Sequence, residues 1–235
     1  ATSLGDLGVN VGERGDMRQA EAYLRQSLTL LRKLHPEPHP ELDEAINNLA
    51  WALEGLDRFK EAEALHRESL AMKRKLFASP HPLLAAGLNN VAYDLEMRGD
   101  YVGAEKAYRE SLGMNRQILG EDHKDIATGM SNLAFVLDAK GDRKAAIAML
   151  RQSVGMRRRV LGPDHPDVAG GDTSLAYWLT STGDYAEAEG LLEEALAIRR
   201  KALGEEHPRV GATLATQANL FVAERRFDDA LATST

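Results

Sequence analysis

Five histidines, His39, His81, His123, His165 and His207, stand 42 residues apart along the chain. A period of that length marks a tandem array of one supersecondary unit. Each unit has an apolar face it cannot bury alone, so neighbours must stack, and stacked units form a solenoid. Such a surface is extended and suits holding a partner better than enclosing a reaction.

The phase holds at other columns. Ala20, Ala62, Ala104, Ala146, Ala188 and Ala230 repeat without exception, as do Ala50, Ala92, Ala134, Ala176 and Ala218. Beside them run Leu53, Leu95, Leu137, Leu179 and Phe221, then Leu28, Leu70, Leu112, Val154 and Leu196. Spacings of three and four give one apolar helix face, so each unit holds two amphipathic helices. Recurrent alanine fits places where helix axes approach to roughly 8–10 Å.

The first, or A, helices are expected near residues 3–14, 40–55, 82–97, 124–139, 166–181 and 208–223. The second, or B, helices are expected near 17–34, 59–77, 101–118, 143–160, 185–202 and from 227 onward. Between them stand Gly15-Asp16, Gly99-Asp100, Gly141-Asp142 and Gly183-Asp184. The glycine can end the A helix in a left-handed conformation and the aspartate can cap the B helix. Asp57-Arg58 and Arg225-Arg226 break this pattern.

At Ala92, Leu95, Gly99, Tyr101, Ala104 and Tyr108 the chain resembles the tetratricopeptide repeat, whose usual unit has about 34 residues. The longer unit carries Leu119-Gly120 with His123, Leu161-Gly162 with His165-Pro166, and Leu203-Gly204 with His207-Pro208. With Leu88-Asn89-Asn90-Val91-Ala92, these features resemble the kinesin light chain subclass. The resemblance implies an all-α fold: a right-handed superhelical solenoid of antiparallel helix pairs whose A helices line an inner, peptide-binding face.

One solenoid is expected over 1–235, in about five and a half units: 1–39, 40–81, 82–123, 124–165, 166–207 and an incomplete 208–235. The ends read as cuts from a longer protein or as faces that pack on another copy. Net charge is −7, with both signs spread through every unit, so a nucleic-acid-binding strip is not expected. No cysteine is present, which excludes disulfides and thiolate ligands and fits a cytoplasmic protein. No apolar run nears the roughly 20 residues that span a bilayer, so no membrane partner is expected.

The histidine column invites a metal, but zinc needs several ligands about 2 Å from one ion. One histidine per layer does not supply them. Pro40, Pro82, Pro166 and Pro208 follow four of the five, which places this column at helix starts. His35 near His39 gives that loop alone a second imidazole. No cofactor or metal is expected. Arg32, Arg74, Arg116, Arg158 and Arg200 close B helices, where positive charge complements the helix dipole. Beside them, Lys73, Arg157 and Arg199 match the B-helix column that the resemblance associates with cargo.

The A helices carry the binding candidates. Asn47-Asn48, Asn89-Asn90, Ser131-Asn132 and Thr173-Ser174 form two polar columns. Their side chains either brace neighbouring helices or pair with the backbone of an extended peptide. One turn on, Trp51, Tyr93, Phe135 and Tyr177 form an aromatic ladder, either buried between units or open to a ligand. Next come Glu54, Glu96 and Asp138, where the kinesin light chain pattern is basic. Like charge disfavours an acidic ligand, so this column favours a neutral or basic peptide with hydrophobic anchors.

The expected function is a noncatalytic scaffold that binds an extended segment of a protein partner. The competing reading is self-assembly, a homo-oligomer formed through incomplete ends or through the aromatic ladder. An enzyme ranks third, and would need carboxylates that converge with abnormal titration.

Overall fold

The computed structural model describes residues 2–35 and 38–233. Every regular element among them is a helix, and the chain forms two compact units, Ala1–Ile118 and Leu119–Thr235. The first unit holds α1 (Thr2–Glu13), α2 (Met17–Leu34), α3 (Pro40–Glu54), α4 (Phe59–Leu76), α5 (Pro82–Met97) and α6 (Tyr101–Leu119). The second holds α7 (Lys124–Ala139), α8 (Arg143–Leu161), α9 (Pro166–Thr182), α10 (Tyr185–Leu203), α11 (Pro208–Ala223) and α12 (Phe227–Thr233). Odd-numbered helices are A and even-numbered are B. Their bounds lie within one residue of those expected, and the open-ended expectation for the last B helix lies outside the described residues beyond Thr233.

The histidine column has a definite local task. Each of the five is the N-cap of an A helix, and its Nδ1 accepts the backbone N–H two residues on, at 3.1–3.3 Å. Proline follows at the first helical position in α3, α5, α9 and α11. Imidazole thus does the work usual for Ser or Asp, satisfying a donor that the helix leaves open.

The A-to-B turns show why glycine recurs. Gly15, Gly99, Gly141 and Gly183 sit at φ 97°, 78°, 90° and 87°. In the two turns that break the pattern the backbone is unchanged, and Asp57 and Arg225 are held at φ 57° and 64°. A side chain there costs free energy that glycine avoids. Asp57→Gly is therefore expected to stabilise the protein by about 0.5–1 kcal/mol, read as a higher midpoint in urea.

Packing follows the columns. Ala20, Ala62, Ala104, Ala146 and Ala188 are fully enclosed, as are Ala50, Ala92, Ala134 and Ala176, while Ala218 is half-buried. A further column, Ser27, Ser69, Ser111 and Ser153, is buried on B helices. Ser111 Oγ donates to the Ala85 carbonyl at 2.8 Å and Ser153 Oγ to the Ala127 carbonyl at 2.6 Å, tying each B helix to its own A helix.

The arginine column does more than complement helix dipoles. Arg32 pairs with Glu68 at 2.7 Å, Arg74 with Glu110 at 3.2 Å and Arg158 with Glu194 at 2.5 Å, each reaching the next B helix 36 residues on. These pairs are largely exposed, so each adds at most about 1 kcal/mol. They align successive units more than they stabilise them.

Candidate functional site

The polar A-helix columns turn out to be partly internal. In the first unit Asn47 donates to the Asp43 carbonyl at 2.6 Å and to Ser69 Oγ at 3.4 Å, and Asn90 donates to Asn47 Oδ1 at 3.5 Å. Lys73 is buried beside them, donating to Ser69 Oγ at 2.9 Å and pairing with Asp43 at 3.1 Å. Asn48 and Asn89 are half-buried. In the second unit Ser131 is buried against Ser153, and Asn132 is half-buried. Thr173 and Ser174 bond back to carbonyls of their own helix.

The aromatic ladder divides. Trp51 is half-buried and packs on the first-unit core. It fills the space that a side chain at position 12 would need, since a Cβ on Gly12 would lie 2.5 Å from its ring. Tyr93, Phe135 and Tyr177 are 40%, 43% and 59% exposed. Tyr93 meets Phe59 edge-on at 6.2 Å, and Phe135 meets Trp178 edge-on at 4.9 Å. Three of the four rings are therefore exposed, and Tyr93 and Phe135 each have an edge set by a neighbouring ring.

The acidic column is engaged internally, which weakens the charge argument built on it. Asp138 pairs with Arg143 at 2.6 Å. Glu96 accepts the Tyr108 hydroxyl at 2.9 Å; burial pushes the Glu96 carboxyl up, and that bond partly offsets the rise. Glu54 lies 3.7 Å from His66 Nδ1, which is itself 2.6 Å from Asp94 Oδ2. Burial pushes Glu54 up to about 7, and the nearby Asp94 adds to the rise. Glu54 and Asp94 thus converge, and the raised titration of Glu54 is of the kind an enzyme reading requires. His66 and Asp94 are buried, however, and only Glu54 is partly open to solvent.

The second unit opens a cavity of about 380 Å³ at the A-helix starts. Arg157, Arg199 and Arg209 converge there with Phe135, Ser131 and Asp167. Arg157 donates to Ser131 Oγ at 3.1 Å, and Arg199 to the Arg209 carbonyl at 2.8 Å. Burial draws both guanidinium groups below their usual range, and Arg199 Nε has no hydrogen-bond partner among the described residues. Gly170 and Gly171 make the room: a Cβ on Gly171 would stand 3.1 Å from Arg157 Nη1. Three cations against one carboxylate favour an anionic guest.

Sequence reasoning selected Arg157, Arg199, Ser131 and Phe135 but missed Arg209. Its signal is a sign change in a column that reads Glu41, Leu83, Asp125, Asp167, Arg209. His66 and Asp94 were missed as well.

A tetratricopeptide repeat model matches residues 1–75 and 83–159, and a second tetratricopeptide repeat model matches 173–209. The chain belongs to the tetratricopeptide repeat family. No curated protein sequence matches it. Among solved structures, BtubC (BKLC) from P. vanneervenii is similar at 23% identity and TM-score 0.79, over 93% of this chain and 88% of that one. The Q17M form of a Podospora anserina kinesin light chain protein with nearly identical TPR-like repeats follows at 24% and 0.75, over 87% and 96%. Apo RapI shares the fold at 13% and 0.71, over 99% and 94%. Tetratricopeptide repeats are protein-interaction scaffolds, and the kinesin light chain-like architecture agrees with the 42-residue unit. No described helix is long and apolar enough to cross a membrane.

Proposed function

We propose that this tetratricopeptide repeat chain is a noncatalytic scaffold that binds an extended segment of a partner protein along its A helices. In the second unit, the segment places an acidic group in the arginine-lined cavity. The observation that carries this reading is the convergence of Arg157, Arg199 and Arg209 on a space bordered by the exposed ring of Phe135. A guanidinium binds a carboxylate by charge-assisted hydrogen bonds, and the ring supplies an apolar anchor beside them. Tyr93 in the first unit and Tyr177 in the second offer similar anchors.

This replaces the neutral or basic preference with an acidic one for the second unit. Glu54, Glu96 and Asp138 are held by His66 and Asp94, by Tyr108 and by Arg143, so little of their charge is left to repel a ligand. The hydrophobic anchors are retained.

The test is a peptide array of sequences paired so that they differ only in Glu or Lys beside an aromatic anchor, followed by fluorescence anisotropy on the binders. Glu members are expected to bind about 10–100-fold tighter at low salt, and Arg209→Gln to remove most of that difference. Equal binding of both members would reject the arginine cavity as the site. A mass that grows with concentration in light scattering, with no peptide bound, would instead favour self-assembly.

A further inference from the structure

In two columns of the repeat, a histidine and a carboxylate appear at one seam only. On the B helices the residues are Leu24, His66, Tyr108, Leu150 and Leu192, all buried. On the A helices they are Asn10, which is exposed on α1, and then Ala52, Asp94, Val136, Trp178 and Leu220, all buried. His66 on α4 and Asp94 on α5 thus replace apolar residues at facing positions of adjoining units, and Glu54 at the end of α3 joins them. Burying ionisable groups costs several kcal/mol each unless they are paired and fully bonded. The repeat uses apolar residues elsewhere in the columns of His66 and Asp94, so packing alone does not call for these two.

Their arrangement is that of ligands. One oxygen or nitrogen from each of Glu54, His66 and Asp94 lies within 4.8 Å of the other two. A tetrahedral ion held at about 2.0–2.2 Å needs its ligand atoms roughly 3.4 Å apart. The 3.7 Å from His66 to Glu54 is close to that, and the 2.6 Å from His66 to Asp94 opens by less than an ångström to reach it. A second observation is independent of the spacing. Asp94 is fully buried, and its Oδ1 has no hydrogen-bond partner among the described residues, which is costly for a carboxylate oxygen.

We propose that Glu54, His66 and Asp94 form a binding site for a divalent transition-metal ion between the two repeats. Two carboxylates balance the double charge, so the occupied site is neutral in its buried surroundings. The imidazole selects a first-row ion such as Zn²⁺ over Ca²⁺ or Mg²⁺. The partly open side of Glu54 is the approach for the ion and leaves a fourth position for water. Residues of α3 and α4 come from one repeat and Asp94 from the next, so the ion would clamp that seam.

The test is titration of the full chain, stripped with chelator, with ZnCl₂ by calorimetry, and with CoCl₂ by visible absorption. The cluster of His35, His39 and Glu41 is the competing site, so His35→Gln is measured in parallel. One tight equivalent is expected in the wild type and in His35→Gln, with a thermal midpoint that rises with free Zn²⁺. Glu54→Gln is expected to weaken binding about tenfold or more. The double variant His66→Leu/Asp94→Val installs residues that the repeat already uses at these columns, keeps the helical signal and loses the equivalent. The proposal is overturned by absence of stoichiometric binding in the wild type, by undiminished binding in the folded double variant, or by loss of binding in His35→Gln.

Discussion

Replacing His66 alone with leucine is expected to destabilise the metal-free protein by about 3–5 kcal/mol, whereas the double replacement His66→Leu/Asp94→Val leaves it equally stable or raises stability by about 1–4 kcal/mol. The single change removes the imidazole that meets a fully buried carboxylate at 2.6 Å and leaves that carboxylate beside Glu54 with no cation to offset its charge. The double change removes both polar groups and restores apolar neighbours like Leu24 and Val136, which occupy the equivalent places in other repeats. Urea denaturation of wild type, both single variants and the double variant closes a thermodynamic cycle. Additive effects would show that His66 and Asp94 are not coupled, contrary to their geometry.

A second large effect separates the aromatic residues. Trp51→Ala is expected to cost about 2–4 kcal/mol, because its ring fills the space against Gly12 and empties a cavity when removed. Tyr177→Ala, at 59% exposure, is expected to cost less than about 0.5 kcal/mol in the same denaturation experiment. Loss of peptide binding in a Trp51 variant would therefore report damaged packing, whereas loss in a Tyr177 variant would report a lost contact. Equal stability costs for the two would contradict the division of the ladder.

Most of the fold was legible because each structural task recurs at a fixed period. Alanine at the close helix contacts, histidine before each A helix and glycine at the left-handed turn each appear several times, so one column gives several independent readings. Asp57 and Arg225 show that the backbone keeps this pattern even where the side chain does not favour it.

The candidate site was less legible, for two physical reasons. A column of polar residues does not reveal whether its groups face inward or outward: Asn47 bonds Asp43 and Ser69, while Tyr93 in the neighbouring column stands open. Chemistry that departs from the repeat is also invisible to a search for repetition. Arg209, His66 and Asp94 each occur once in their columns, and their partners lie on other helices. Exceptions within columns, read alongside the columns themselves, would have found all three.

The seam at His66 and Asp94 limits how freely the repeats can be exchanged. At the same two columns the joint of α2 with α3 carries Leu24 and Ala52, and that of α10 with α11 carries Leu192 and Leu220, apolar pairs that do not tie one cassette to its neighbour. The cassette spanning 40–81 carries half of a matched set, and whatever follows it must bring the carboxylate. Shuffling that ignored this would leave a lone imidazole in a greasy interface, making that boundary an address within the array.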